Sequence, residues 1–114
     1  MNAITANDIE KLTNALLQFR DERDWAQFHN PKDLALAISI EASELLELFL
    51  WKDAASADIS KIREELADIL AYVLLLAKVY DFNIADIVLE KIKKNAEKYP
   101  IDKAKGSSRK YNEL

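Results

Sequence analysis

Cysteine is absent from the 114 residues, so neither a disulfide frame nor a thiolate metal centre can form. A single glycine and two prolines leave few breaks in the chain, which excludes turn-rich sheet architectures and favours helix. The lone histidine, His29, has no acid partner at E-x-x-H spacing, which excludes a di-iron carboxylate bundle. Long hydrophobic runs are missing as well. The longest, residues 69–77, is nine residues, far below the roughly 20 needed to span a bilayer. The opening MNAITANDIEKL lacks an apolar signal core. Together these absences predict a soluble, cytoplasmic, all-α protein with no membrane partner.

What is present is half hydrophobic, enough for the core of one domain over residues 1–114. The net charge of −4 conceals an asymmetry: residues 1–90 balance to −9 and residues 91–114 to +5. An acidic body with a basic end makes a poor nucleic-acid binder, so no nucleic-acid partner is expected. It suits a protein that gathers cations in one place and a small polyanion in another.

Four helices can be placed by their caps. Thr5 and Asp8 have capping-box spacing, and Ile9, Leu12, Leu16 and Phe19 then recur at helical intervals until RDERDW. Asn30-Pro31 starts a second helix running to about Leu50. The third starts near Asp58 or Ser60 and runs to about Tyr80, and Asn83 caps a fourth that ends near Tyr99, before Pro100. The tail IDKAKGSSRKYNEL follows. The third helix is greasy nearly all round, with 13 of 15 residues apolar or aromatic across residues 66–80. Three companion helices can cover it only in part, which predicts self-association.

The acids carry the chemistry. Glu41 and Glu44 in EASELLELFLWK are three residues apart, roughly 60° around one helix face. Glu65 and Asp68 in EELADIL repeat the spacing on the third helix. If these helices pack as antiparallel neighbours, four carboxylates meet and repel unless cations sit between them. All-oxygen ligation is the chemistry of Mg²⁺, with Mn²⁺ a substitute, and such ions share their shell with phosphate oxygens. Spacing leaves choices open: Glu64 shares a face with Asp68 as well as Glu65 does, and Glu47 continues the Glu41 and Glu44 row.

With these residues in place, the chain resembles a known family. FRDERDWAQFHNPKDLALAISIEASELLELFLWK, EELADILAYVLLLA and KIKKNAEKYP with KAKGSSRKYNEL are similar to the MazG-like all-α nucleotide pyrophosphohydrolases. Within these the similarity points to the small single-domain branch that includes the dCTP pyrophosphatases. It spans residues 19–114, and its signature E-x-x-E, spacer, E-x-x-D falls on Glu41, Glu44, Glu65 and Asp68. The resemblance implies a four-helix bundle subunit with a C-terminal tail, assembling as a homodimer or homotetramer. It implies hydrolysis of a nucleoside triphosphate, dCTP-like first, to the monophosphate and pyrophosphate with Mg²⁺, as nucleotide-pool house-cleaning. It assigns metal binding and catalysis to the four acids, selecting Glu65 over Glu64. It places Trp25, His29, Trp51 and Tyr72 around base and sugar, and Lys91, Asn95 and Tyr99 at sugar and phosphates. One departure concerns base preference: Leu16 falls where some vertebrate members carry a histidine. The alternatives are a broader member acting on dATP, dTTP or damaged nucleotides, and a non-catalytic assembly or nucleotide-sensing module.

Overall fold

The structure is a computed structural model, and it describes residues 6–114. Helices dominate, and the described residues contain no strand. They form two compact units, one ending at Phe82 and the other Asn83–Leu114.

In the first unit, α1 spans Ala6–Glu22, α2 Pro31–Glu47 and α3 Ile59–Val79. The Thr5 half of the expected capping box lies outside the described residues. α1 ends in a Schellman motif: Trp25 N–H donates to Arg20 C=O at 3.0 Å and Asp24 N–H to Asp21 C=O at 3.1 Å. Asp24 takes the left-handed position that closes the motif, with φ 53°. The motif's apolar clasp is Trp25 against Phe19, edge to face at 5.8 Å between ring centres. The same device ends α3: Phe82 donates to Ala77 C=O at 2.9 Å and Asp81 to Lys78 C=O at 3.1 Å. Asp81 is left-handed at φ 55°.

The expected starts are observed. Asn30 Oδ1 accepts from Asp33 N–H at 2.9 Å, with Pro31 as the first helical residue of α2. Asp58 Oδ1 accepts from the Ser60 and Lys61 amides at the head of α3. α2 ends three residues before the expected Leu50 because its last bonds tighten to i→i+3, from Leu48, Phe49 and Leu50.

α2 packs against α3 more extensively than α1 does. The core is thin, with Leu34 on α2 and Leu74 on α3 at 1% and 2% exposure and Leu75 and Ala77 beside them. The greasy third helix is buried only toward its C-terminal half: Leu66 and Leu70 stay about half exposed, at 53% and 46%.

In the second unit, α4 spans Ile84–Lys98, capped by Asn83 Oδ1 on Asp86 N–H at 3.0 Å. A short α5 follows at Ile101–Ala104, and a 3₁₀ turn at Tyr111–Glu113 ends the tail. Tyr111 packs edge to face on Tyr99 at 6.2 Å, with Lys98 over its ring. Among the described residues no helix is long and apolar enough to cross a membrane.

Candidate active site

Packing of α2 on α3 brings Glu41, Glu44 and Glu65 together, one carboxylate oxygen of each lying within 4.8 Å of the others. The choice between Glu64 and Glu65 that spacing left open falls on Glu65: it is half-buried and in the group, whereas Glu64 is exposed. Glu47, one turn beyond, is exposed and outside the group. Asp68 is not a member of that group. It lies one turn further along α3 and lines an adjoining cavity.

The carboxylates are arranged for a guest. Oε2 of Glu41 and Oε2 of Glu65 are withdrawn from solvent with no hydrogen-bond donor among the described residues. Carboxylates only accept, so a proton shared within the cluster relieves the repulsion. The Glu41 carboxyl is pushed up from 4.5 to about 7, first by a hydrogen bond shared with Glu65, then by burial and by Glu44. A divalent cation satisfies the same orphaned oxygens without a proton, and the donor set is the all-oxygen one that hard cations take. The residues present therefore fit a metal ion.

The cavity beside the cluster has a volume of about 270 Å³. Phe19, Leu16 and Leu75 supply apolar wall, and Arg20, Trp25, His29, Asp68 and Tyr72 its polar groups. Each is positioned by local structure. Trp25 is set by the Schellman motif of α1, and His29 precedes the Asn30 cap of α2. Tyr72 stands one helical turn after Asp68. The His29 and Tyr72 rings meet edge to face at 6.5 Å. Burial and then the Arg20 guanidinium push the His29 imidazole below its ordinary value, and its Nδ1 is buried with no hydrogen-bond partner among the described residues. Tyr72 is raised by burial and then by Glu41, Asp68 and Glu44, which keeps its hydroxyl a donor. Tyr72 thus feels the carboxylates while lining the cavity, so the two sites are contiguous.

The remaining expected residues lie elsewhere. Trp51 is outside the cavity lining and 94% exposed, in a left-handed conformation at φ 61° just after α2. Lys91 and Asn95 share a face of α4 in the second unit, and Tyr99 caps that helix. One polar residue of the cavity lining was missed in the sequence: Arg20. Its signal was its place one turn after Leu16 and next to Phe19, on the apolar face of α1, where a solvated charge does not belong.

Facing helices that converge carboxylates beside an aromatic-lined cavity define an all-helical carboxylate-site protein. A model of the MazG-like family matches residues 36–114, a stretch holding all four acids. The chain belongs to that family. It is 39% identical over 118 residues to dCTP pyrophosphatase 1 of Homo sapiens, covering 96% of this chain and 68% of the relative. The Rattus norvegicus dCTP pyrophosphatase 1 is 36% identical over the same coverage. Among solved structures, a pyrophosphatase from Archaeoglobus fulgidus superposes with a TM-score of 0.77 at 37% identity, covering 88% of this chain and 98% of that one.

Proposed function

We propose that this chain is a Mg²⁺-dependent nucleoside triphosphate pyrophosphohydrolase that converts dCTP-like deoxynucleotides to the monophosphate and pyrophosphate, a house-cleaning reaction on the nucleotide pool. The observation that carries the reading is a base-sized cavity lined by Asp68 and Tyr72, one and two turns along α3 from Glu65 of the carboxylate cluster. Membership of the MazG-like family and the likeness to pyrophosphatases support a nucleotide pyrophosphohydrolase.

Glu41, Glu44, Glu65 and Asp68 would hold Mg²⁺, or Mn²⁺ in its place. When bound, such an ion offsets charge on the phosphates and makes water more acidic. Glu41 or Glu44 orients the water that attacks the α-phosphorus. Trp25, backed by Phe19, offers a face on which the base stacks. Neutral His29 and the Tyr72 hydroxyl supply hydrogen bonds within the cavity. Trp51, exposed in the single chain, contributes to base or sugar in an assembled dimer or tetramer. Apolar Leu66 and Leu70 supply surface for that assembly. Lys91, Asn95 and Tyr99 contact sugar and phosphates.

Pyrophosphate release from the eight common nucleoside triphosphates, with Mg²⁺ and with EDTA, tests the reading. Metal-dependent release led by dCTP and lost in Glu41→Gln is expected. A wild-type protein that releases pyrophosphate from none of them would overturn it.

A further inference from the structure

We propose that Arg20 reads the base: its guanidinium is the paired donor that recognises the adjacent ring-nitrogen and carbonyl acceptors, N3 and O2, of a cytosine. The inference rests on the reading of the cavity as a nucleotide base site and adds a specificity-determining residue to it.

Arg20 lines the cavity with its side chain only 21% exposed. Its Nε and Nη2 both meet Asp21 Oδ1 at 2.9 Å. Asp21 is 59% exposed, so it braces the guanidinium from the solvent side. The planar fork is thereby held with fewer rotamers to lose on binding. Among the described residues no acceptor engages Nη1. That leaves the Nη1 and Nη2 edge of the fork available, in the geometry that takes two neighbouring acceptors at once.

The rest of the lining sharpens the choice. Trp25 adds a donor, and neutral His29 and Tyr72 can donate or accept. Asp68 is the one carboxylate lining the cavity among the described residues, and it belongs with the acids. A base entering this cavity meets a fixed pair of donors. Cytosine answers with N3 and O2, two acceptors side by side. Thymine and uracil place an N–H at position 3, donor against donor. Adenine sets a single acceptor, N1, between a C–H and an amino group, which leaves guanine, with O6 and N7 side by side on a larger ring system, as the one base that competes with cytosine for the fork. A bidentate arginine contact discriminates between bases by roughly ten- to hundredfold.

The test measures kcat and KM for dCTP, dTTP and 3-deaza-dCTP, in which a C–H replaces N3, on wild type, Arg20→Ala and Arg20→Lys with Mg²⁺. Wild type should favour dCTP over both others by roughly ten- to hundredfold in kcat/KM. Arg20→Ala should lose that factor for dCTP, chiefly in KM, and cease to distinguish dCTP from 3-deaza-dCTP. Arg20→Lys keeps the charge without the fork and should behave like Arg20→Ala. A uniform fall for all three substrates would assign Arg20 a purely structural role and overturn the inference. So would a wild type that accepts 3-deaza-dCTP as readily as dCTP, a result that needs no variant to fold. Activity with an unchanged base ratio removes Arg20 alone, whereas no release from any nucleotide removes the base-site reading and Arg20 with it.

Discussion

Replacing Glu41 by glutamine should stabilise the metal-free protein while removing its response to Mg²⁺. The magnitude follows from the cluster. Two like charges no more than 4.8 Å apart repel by at least about 1 kcal/mol in water and about 3.5 kcal/mol at an effective dielectric of about 20. The rise of the Glu41 carboxyl from 4.5 to about 7 gives a consistent bound, at most about 3.4 kcal/mol at about 1.36 kcal/mol per pH unit. Glu41 is only half-buried, so solvent screening reduces this to about 1–2 kcal/mol. The sign is set by linkage. A carboxyl raised on folding contributes stability that is present below about 4.5 and lost as pH rises through about 7. Glutamine removes the ionisation and brings N–H donors to the orphaned oxygen of Glu65.

Thermal unfolding at one fixed protein concentration, in EDTA at pH 5 and pH 8, reads the effect directly. At pH 8 the variant should melt about 4–8 °C above wild type. At pH 5 the gap should shrink, because wild-type Glu41 is then largely protonated. Mg²⁺ should raise the melting temperature of wild type and leave the variant nearly unmoved. A variant less stable than wild type in EDTA at pH 8 would show that the carboxylates do not repel, and the cation-site argument would fall with it.

Other outcomes test the frame around the site. Leu74→Ala, at a position 2% exposed on α3, should cost about 2–4 kcal/mol in urea unfolding; a loss below about 1 kcal/mol would mean that the α3 core seat is misplaced. Asn30→Ala removes the acceptor of the Asp33 amide and should cost about 1 kcal/mol, whereas Asn30→Asp should retain most of the cap. The His29 imidazole should titrate below 6.5 by NMR and move upward in Arg20→Gln. Because folding lowers this group, its contribution to stability is present above 6.5 and lost as pH falls through the folded value. Trp51→Ala, at a side chain 94% exposed, should change stability by less than about 0.5 kcal/mol yet raise KM for dCTP; an unchanged KM would remove Trp51 from the substrate site.

Local rules made most of the fold legible. Asn30 and Asn83 were readable as caps, and Asp58 as one of two candidate starts, because one side-chain oxygen meeting one or two amides decides a helix start. The end of α2 was missed by three residues because tightening to i→i+3 bonds depends on the following loop and leaves no pattern in composition. Pair spacing put Glu41 and Glu44 on one face of α2. The choice of Glu65 over Glu64 needed the rotation of α3 against α2, a tertiary quantity that periodicity alone cannot supply. Trp25 was legible as an aromatic at a helix end, but its place over Phe19 depends on the left-handed Asp24, an unremarkable residue in RDERDW. Arg20 was passed over for a related reason: its place on the apolar face of α1 was the one signal, and a charge in a charged stretch looks solvated until the cavity that encloses it is built from α1 and α3.

The same geometry explains why such a site is placed on so thin a core. Burying Glu41 and Glu65 oxygens without donors among the described residues opposes folding, and hydrophobic replacements would be the more stable choice for a helical scaffold. The cost stays tolerable because the cluster is only half-buried and because Glu41 can hold a proton when no cation is present. A cation and a polyphosphate would recover what the converging carboxylates lose, by satisfying the same oxygens and cancelling the same repulsion. Binding should therefore rigidify the α2 and α3 pair as it assembles the site. Hydrogen exchange would show this as amides around Glu41 and Glu65 slowing with Mg²⁺ and a non-hydrolysable dCTP analogue together. Equal exchange with and without them would mean that the helices are already locked, and that the acids serve the reaction without storing any of its binding energy.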